Sequence, residues 1–138
     1  MPRWNAEALE RALARSGIAY LHLPELGGRR RPLPGSPNGG WRVEQFKGYA
    51  DHMQGMEFRA GLERLTAVAR RELSAVMCAE AQWRRCHRRL LADALVAEGW
   101  TVLHLGPGGG VEPHRLPDFA VLEHGRLSYP PAQAALDV

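Results

Sequence analysis

The fold is indicated most directly by the run Ser74-Ala75-Val76-Met77-Cys78-Ala79-Glu80 and, after five further residues, by Cys86-His87-Arg88. The first segment is a short apolar run of the kind that forms a strand buried on both faces. After Arg88, apolar residues return at helical spacing as far as Gly99, which predicts a helix that ends at this glycine. The stretch therefore predicts a strand, a short polar turn and a helix, in that order.

The same pattern recurs along the rest of the chain. Apolar runs at 18–23 and 101–105 predict two further strands, and helical spacing over 43–53 and 58–68 predicts two helices between them. Strands that alternate with helices build a parallel sheet with right-handed crossovers. We therefore expect an α/β fold of three layers, in which a short, mainly parallel sheet is flanked by helices.

The chain length and its C-terminal part complete this expectation. A chain of 138 residues is the size of one domain, and we place that domain at residues 1–130. Within it, residues 119–129 predict a small C-terminal hairpin that turns at His124-Gly125. The remaining residues, 131–138, are expected to be a frayed tail.

Composition restricts the classes of function. The chain has 18 basic and 15 acidic residues, and a net charge of +3 is too small to argue nucleic-acid binding alone. It contains no apolar run of about 20 residues, the length that a membrane span requires, and residues 1–5 do not begin a signal peptide. We therefore expect a cytoplasmic protein, in which Cys78 and Cys86 are thiols or ligands rather than a structural disulfide.

Residues 24–40 change the character of the chain. They combine prolines and glycines with the run Gly27-Gly28-Arg29-Arg30-Arg31, and so many helix and strand breakers predict a loop without regular structure. A loop of this length in a small domain is either functional or a low-complexity linker. In the functional alternative its glycines and arginines wrap a phosphate.

Parallel strands direct ligands to the crevice beyond their carboxyl ends. Free N–H groups at the helix start after Cys86 favour an anion and would stabilise a thiolate, and the arginine guanidinium suits a phosphate or carboxylate. We therefore assign four candidate catalytic residues, Cys78, Glu80, Cys86 and His87. The candidate substrate-binding residues are His22, Glu25, Gly28, Arg29 and Arg88.

Two alternatives compete with this anion site. In the first, Cys78, Cys86 and His87 bind zinc together with His22 or His104, although their spacing matches no standard zinc signature. In the second, the cysteines are small buried apolar residues and Arg88 is a surface charge. No metal is assigned on this basis, and the cofactor is unknown.

Three other histidines, His52, His114 and His124, lack such a context and are expected to face solvent. The partner predicted from the residues is an anionic small molecule or a nucleic acid. Binding to a membrane is not expected. The function class stays open between an enzyme that uses a thiol on a phosphate-bearing substrate and a binding module without catalysis.

Four motifs in this order resemble one family: His22-Leu23-Pro24-Glu25-Leu26-Gly27-Gly28-Arg29, Phe46-Lys47-Gly48-Tyr49-Ala50-Asp51-His52-Met53, Met77-Cys78-Ala79-Glu80 and Cys86-His87-Arg88-Arg89. The chain is similar over about residues 2 to 129 to the family known as domain of unknown function 488. The resemblance implies a compact α/β protein of prokaryotic type and brings no reaction with it.

The resemblance also implies a departure from the family pattern. Residues 2–5 resemble the segment that follows an N-terminal strand–helix–strand unit in such proteins, so this unit is expected to be lacking here. Removing two strands would expose apolar surface on their neighbours. Either the start of the sequence is misassigned, or a second copy of the chain or another partner chain completes the sheet.

Overall fold

The computed structural model describes residues 6–78, 80 and 82–132. Four α-helices account for most of its regular structure: α1 (Ala6–Arg15), α2 (Glu44–His52), α3 (Met56–Ala69) and α4 (Arg88–Ala97). Two short 3-10 helices lie at Pro24–Leu26 and Trp83–Arg85. Four strands of three residues each follow α4: β1 (Leu103–Leu105), β2 (Val111–Pro113), β3 (Val121–Glu123) and β4 (Arg126–Ser128).

The core is formed where α2, α3 and α4 meet the loop before α2. It is rich in aromatic side chains, which bury large areas of surface: Leu26, Trp41, Phe46, Tyr49, Ala50, Met53, Phe58, Leu62, Leu90, Leu91, Ala94 and Tyr129. The predicted helices over 43–53 and 58–68 and the helix ending at Gly99 are confirmed. The apolar spacing was sufficient to predict them because each helix places that face against this core.

The predicted three-layer fold with a mainly parallel sheet is wrong. The described part of the chain contains two separate antiparallel sheets of two strands each, β1 with β2 and β3 with β4. In the first sheet Leu103 lies opposite Pro113 and Leu105 opposite Val111. The run at 101–105 therefore does form a strand, but its partner is the segment that follows it along the chain.

The other two predicted strands, 18–23 and 74–78, form no ladder with any described residue. Their apolar side chains are not covered either, since Ile18 is 51% exposed and Met77 is 50% exposed. A run of apolar residues becomes a buried strand only when neighbouring strands satisfy its backbone and helices cover its faces. That a second copy or partner chain covers this surface stays a prediction.

The C-terminal hairpin is confirmed. Val121 pairs with Ser128 and Glu123 with Arg126 across the turn. His124 and Gly125 both have positive φ, 52° and 75°, as a two-residue turn of type I′ requires.

The loop at 24–40 is tied to the helices by a buried carboxylate. Asp51 on α2 accepts hydrogen bonds from the Leu33 amide (2.8 Å), the Ser36 hydroxyl (2.7 Å) and the Asn38 side-chain amide (2.6 Å). A side chain at Gly48 would collide with the backbone carbonyl of Arg30, so this glycine lets the loop lie directly on α2. The loop is thus held in one place without regular structure.

Two expectations fall outside the described residues. One is the expected resemblance of residues 2–5 to the segment that follows an N-terminal unit. The other is the frayed tail at 131–138, of which only Pro131 and Ala132 are described, both exposed. Among the helices of the described residues, none has the length and apolar character needed to cross a bilayer.

Candidate functional site

A pocket of about 300 Å³ opens between the loop before α2 and the turn that leads into α4. It is lined by Gly28, Arg29, Gln45, Phe46, Cys78, Glu80, Arg85, Cys86 and His87. Six of the nine residues selected from the sequence therefore meet here: Gly28, Arg29, Cys78, Glu80, Cys86 and His87. The predicted sheet edge does not exist, and the pocket is instead formed by two irregular segments held against the helices.

The Cys86 sulfur is the most highly connected atom of this pocket. Its Sγ lies 2.9 Å from Cys78 Sγ and 3.6 Å from His87 Nδ1. Arg88 donates to the same Sγ from its backbone N–H and from Nε, both at 3.4 Å. Because Arg88 is the first residue of α4, the sulfur accepts one of the N–H groups that a helix start leaves free.

These contacts determine the ionisation of the two thiols. Burial by itself would raise the pKa of Cys86, but the hydrogen bonds from His87, Cys78 and Arg88 outweigh it and lower the pKa to about 6. For Cys78, burial raises the pKa to about 11, and the hydrogen bond to Cys86 acts in the same direction. At neutral pH the pair is therefore a Cys86 thiolate that accepts a hydrogen bond from a Cys78 thiol.

Gly28 determines how closely the loop approaches the turn. A Cβ at this position would lie 2.7 Å from His87 Nδ1, so only glycine fits here with the histidine ring in place. The next residue, Arg29, has φ of 64°, an uncommon conformation for a residue other than glycine. Backbone strain of this kind is concentrated at functional sites.

The arginines of the turn do not all face the pocket. Arg84 binds Glu112 at 2.6 Å and Arg89 lies over the Trp41 ring. Arg88 is bound to Cys86 Sγ and to the carbonyl oxygen of Glu80, which supports the turn. The exposed arginines that line the pocket are thus Arg29 and Arg85.

Besides Arg88, two predicted substrate-binding residues, His22 and Glu25, do not line the pocket. His22 is exposed at the end of an extended segment. Glu25 binds Arg64 at 3.3 Å, and its backbone carbonyl lies 2.7 Å from His52 Nε2. Glu25 therefore helps to attach the loop to α2 and α3.

His104 belongs to a second cluster, which the sequence did not predict. Asp93 on α4 lies 2.5 Å from His114 Nε2, and His114 Nδ1 lies 2.8 Å from His104 Nε2. Trp83 stacks on the His104 ring at 3.6 Å between centroids, and Tyr129 donates to Asp93 at 2.7 Å.

This cluster is closed to solvent. Asp93 is fully buried, and His104 and His114 are each 9% exposed. Burial, together with His114, lowers the pKa of His104 to about 4, so His104 is neutral at neutral pH. The expectation that His114 faces solvent is wrong, because β2 brings this residue opposite α4. The same expectation is confirmed for His124, which is exposed, whereas His52 is partly buried.

The zinc alternative gains no support from this arrangement. Of the residues that the structure describes, no three His, Cys, Asp or Glu side chains are grouped so that they could hold a metal ion. Cys78 and Cys86 face each other, whereas His104 is bonded to His114 in the other cluster. The geometry brings together thiols, a histidine and guanidinium groups, which suits an anionic ligand.

Comparison with known proteins agrees with the resemblance read from the motifs. A family model described as Domain of unknown function DUF488 matches residues 1–95, a shorter span than the expected 2 to 129. No curated protein and no solved structure matches the chain. The matched span contains both segments that form the pocket. The chain belongs to the DUF488 family.

Proposed function

We propose that this protein binds a phosphate-bearing substrate, of which a nucleotide is the expected form, in the pocket between the loop and the turn, and that Cys86 supplies a thiolate there. The observation that carries the proposal is the meeting of one sulfur with two arginines. Arg29 is far along the chain from Arg85 and Cys86, and all three line the same opening. Perturbed titratable groups in a cleft favour a functional site.

The size and charge of the pocket support a small anionic ligand. Its volume of about 300 Å³ is at the lower end of the range for small-molecule sites. Arg29 and Arg85 can each offer paired N–H donors to phosphate oxygens. Phe46, which lines the pocket, offers an apolar surface for a base or sugar.

The thiolate supports chemistry on such a ligand. A thiol with its pKa lowered to about 6 is ionised at neutral pH and needs no separate base to become a nucleophile. In this proposal Cys86 Sγ attacks an electrophilic centre next to the bound phosphate, and the leaving group departs with its electron pair. His87 or Glu80, which line the same pocket, supplies the proton that the leaving group takes up.

A non-catalytic binding module is the second candidate. One observation favours it: Cys86 is only 5% exposed, and Cys78, His87 and Arg88 already hydrogen-bond to its sulfur. In that case the thiolate is a fixed negative charge that orients Arg88, and the ligand is bound and released unchanged. The two candidates differ in whether a product forms.

Binding is tested with AMP, inorganic phosphate and adenosine by calorimetry on the full chain. We expect AMP to bind, adenosine to bind at least tenfold more weakly, and the affinity for AMP to fall as salt rises. Arg29→Ala should weaken AMP binding about tenfold, the loss of one charge-assisted contact. Arg126→Ala, which removes an equal charge from the hairpin, is the matched control and should bind as the wild type does.

Equal affinity for AMP and adenosine, or equal loss in both arginine variants, would contradict the anion site. The Cys86→Ser variant separates the two candidates. If it binds AMP normally while the wild type modifies no nucleotide or phosphate ester on prolonged incubation, the thiol is not catalytic and the binding module stands. A single-stranded oligonucleotide that binds more tightly than AMP would identify nucleic acid as the ligand.

A further inference from the structure

The two thiols of the pocket lie in direct contact. Cys78 Sγ and Cys86 Sγ are 2.9 Å apart, and eight residues separate them along the chain. A disulfide bond is about 2.05 Å long and requires its two sulfurs to face each other. Cys78 lies in an irregular segment rather than in a strand or helix, so a small shift of this segment closes the remaining distance.

The surroundings of the two sulfurs give them different roles. Cys86 Sγ accepts hydrogen bonds from the backbone and side chain of Arg88, which stabilise its thiolate. Cys78 keeps its proton, and the amide of Glu80 donates to its sulfur at 3.3 Å. When a thiolate has a neutral thiol beside it, an oxidant converts the thiolate to a sulfenic acid, and the neighbouring thiol then condenses with that sulfenic acid to form a disulfide.

The pair can also be reached by a small oxidant. Both cysteines line a pocket of about 300 Å³ that is open to solvent, and of the two Cys86 is buried and Cys78 is half-buried. A peroxide molecule is small enough to enter such an opening, whereas a second protein cysteine is not. Oxidation is therefore directed to a bond within the chain.

We propose that Cys78 and Cys86 form a peroxide-sensitive dithiol, which a peroxide converts to an intramolecular disulfide and a dithiol reductant restores. The Cys86 thiolate attacks one peroxide oxygen, the O–O bond breaks, and Cys86 becomes a sulfenic acid while hydroxide leaves. Cys78 then attacks Cys86 Sγ, the S–O bond breaks, and a second hydroxide leaves. The proton of Cys78 and one from solvent convert both hydroxides to water, and the peroxide is the species reduced.

Formation of the disulfide would change the pocket. Cys86 would lose the negative charge to which Arg88 donates, and the sulfur would no longer be a nucleophile. This regulatory consequence rests on the proposed function, whereas formation of the disulfide does not. Oxidation would switch off the thiol chemistry and leave Arg29 and Arg85 in the pocket.

The experiment treats the reduced full chain with one equivalent of hydrogen peroxide and follows free thiols and intact mass. We expect both thiols to disappear, the mass of the monomer to fall by that of two hydrogen atoms, and dithiothreitol to reverse the change. In Cys78→Ser the sulfenic acid at Cys86 persists and is trapped by dimedone. In Cys86→Ser the single thiol reacts at least tenfold more slowly with peroxide, because it lacks the hydrogen bonds that stabilise the thiolate.

Two results would overturn the proposal. One is a wild-type chain that keeps both thiols under peroxide while a small-molecule thiol is oxidised in the same solution. The other is oxidation that yields only dimers linked between chains, or dimedone adducts in the wild type as abundant as in Cys78→Ser. Failure of AMP to bind leaves this test unaffected, and failure to form the disulfide leaves AMP binding unaffected, so the two proposals fail separately.

Discussion

The thiol pocket and the buried histidine cluster both contain residues of the turn at 83–88, and they use similar residue types in opposite ways. In the pocket, Cys86 carries a charge and faces an opening. In the cluster, Asp93, His114 and His104 satisfy one another away from solvent. An opening beside a perturbed group favours chemistry, whereas a closed chain of hydrogen bonds favours structural support.

The histidine cluster also positions the pocket. Trp83, at the start of the 3-10 helix that carries Arg85, stacks on His104 at 3.6 Å. Asp93 binds both His114 and Tyr129, and the backbone N–H of Tyr129 donates to the side-chain Oδ1 of the loop residue Asn38 at 2.9 Å. One buried carboxylate thus supports both segments that form the pocket.

The largest expected effect follows from removing that carboxylate. Asp93→Ala leaves the His114 ring and the Tyr129 hydroxyl without their buried hydrogen-bond partner. Each buried polar group left unpaired costs about 1–3 kcal/mol, so we expect a loss of about 4 kcal/mol for the two. Urea denaturation of the variant should show this loss in the free energy of unfolding. Glu63→Ala, which removes an exposed carboxylate from α3, should stay within about 0.5 kcal/mol of the wild type. Equal stability of the two variants would show that the cluster does not support the fold.

The next effect separates the two regions by pH. Because the pKa of His104 is about 4 in the folded state and 6.5 in the unfolded chain, the unfolded chain binds more protons between these values. Stability therefore rises with pH across this window and falls by about 3 kcal/mol on acidification through it. Denaturation between pH 4 and 7 should show this slope in the wild type. In His104→Gln, which keeps a donor towards His114, the slope should decrease.

The same argument places the contribution of Cys86 at higher pH. Its pKa is about 6 in the folded state against an ordinary value of 9.0, so stability gained from the thiolate appears between pH 6 and 9. The slope in that window should be smaller in Cys86→Ser and unchanged in His104→Gln. A single variant that removed both slopes would mean that the two regions titrate as one unit.

The smallest effect tests the contact between the loop and the turn. Gly28→Ala places a Cβ 2.7 Å from His87 Nδ1, so the ring must move away from Cys86 Sγ. We expect a loss of stability of about 1 kcal/mol and a rise of the Cys86 pKa, because one of the hydrogen bonds that lower it is lost. The pH dependence of iodoacetamide alkylation should have its midpoint near 6 in the wild type and higher in the variant.

Gly108→Ala is the matched control for this substitution. A Cβ at Gly108 meets no atom within 4 Å, so the alkylation midpoint of this variant should equal that of the wild type. An unchanged midpoint in Gly28→Ala as well would contradict the role assigned to the His87 ring.

The local features of this chain could be predicted from the residues because their causes are local. Apolar spacing around Phe46, Phe58 and Leu90 was enough for three helices, and His124-Gly125 was enough for a hairpin turn. The polarised turn before α4 was predicted for the same reason, since Cys86 and Arg88 are close together in the sequence. The meeting of this turn with Gly28 and Arg29 was also expected, although the sheet that was to bring them together is absent from the described residues.

The helices, the hairpin and the charge of the turn thus follow from the residues alone. Which apolar runs pair follows from the folded chain instead, because a strand needs a partner whose position depends on the whole chain. The folded chain also buries His114 beside Asp93 and brings the sulfurs of Cys78 and Cys86 into contact. Burial and distance are properties of the packed molecule, and in this protein they explain why Cys86 is a charged thiolate whereas His104 is a neutral imidazole.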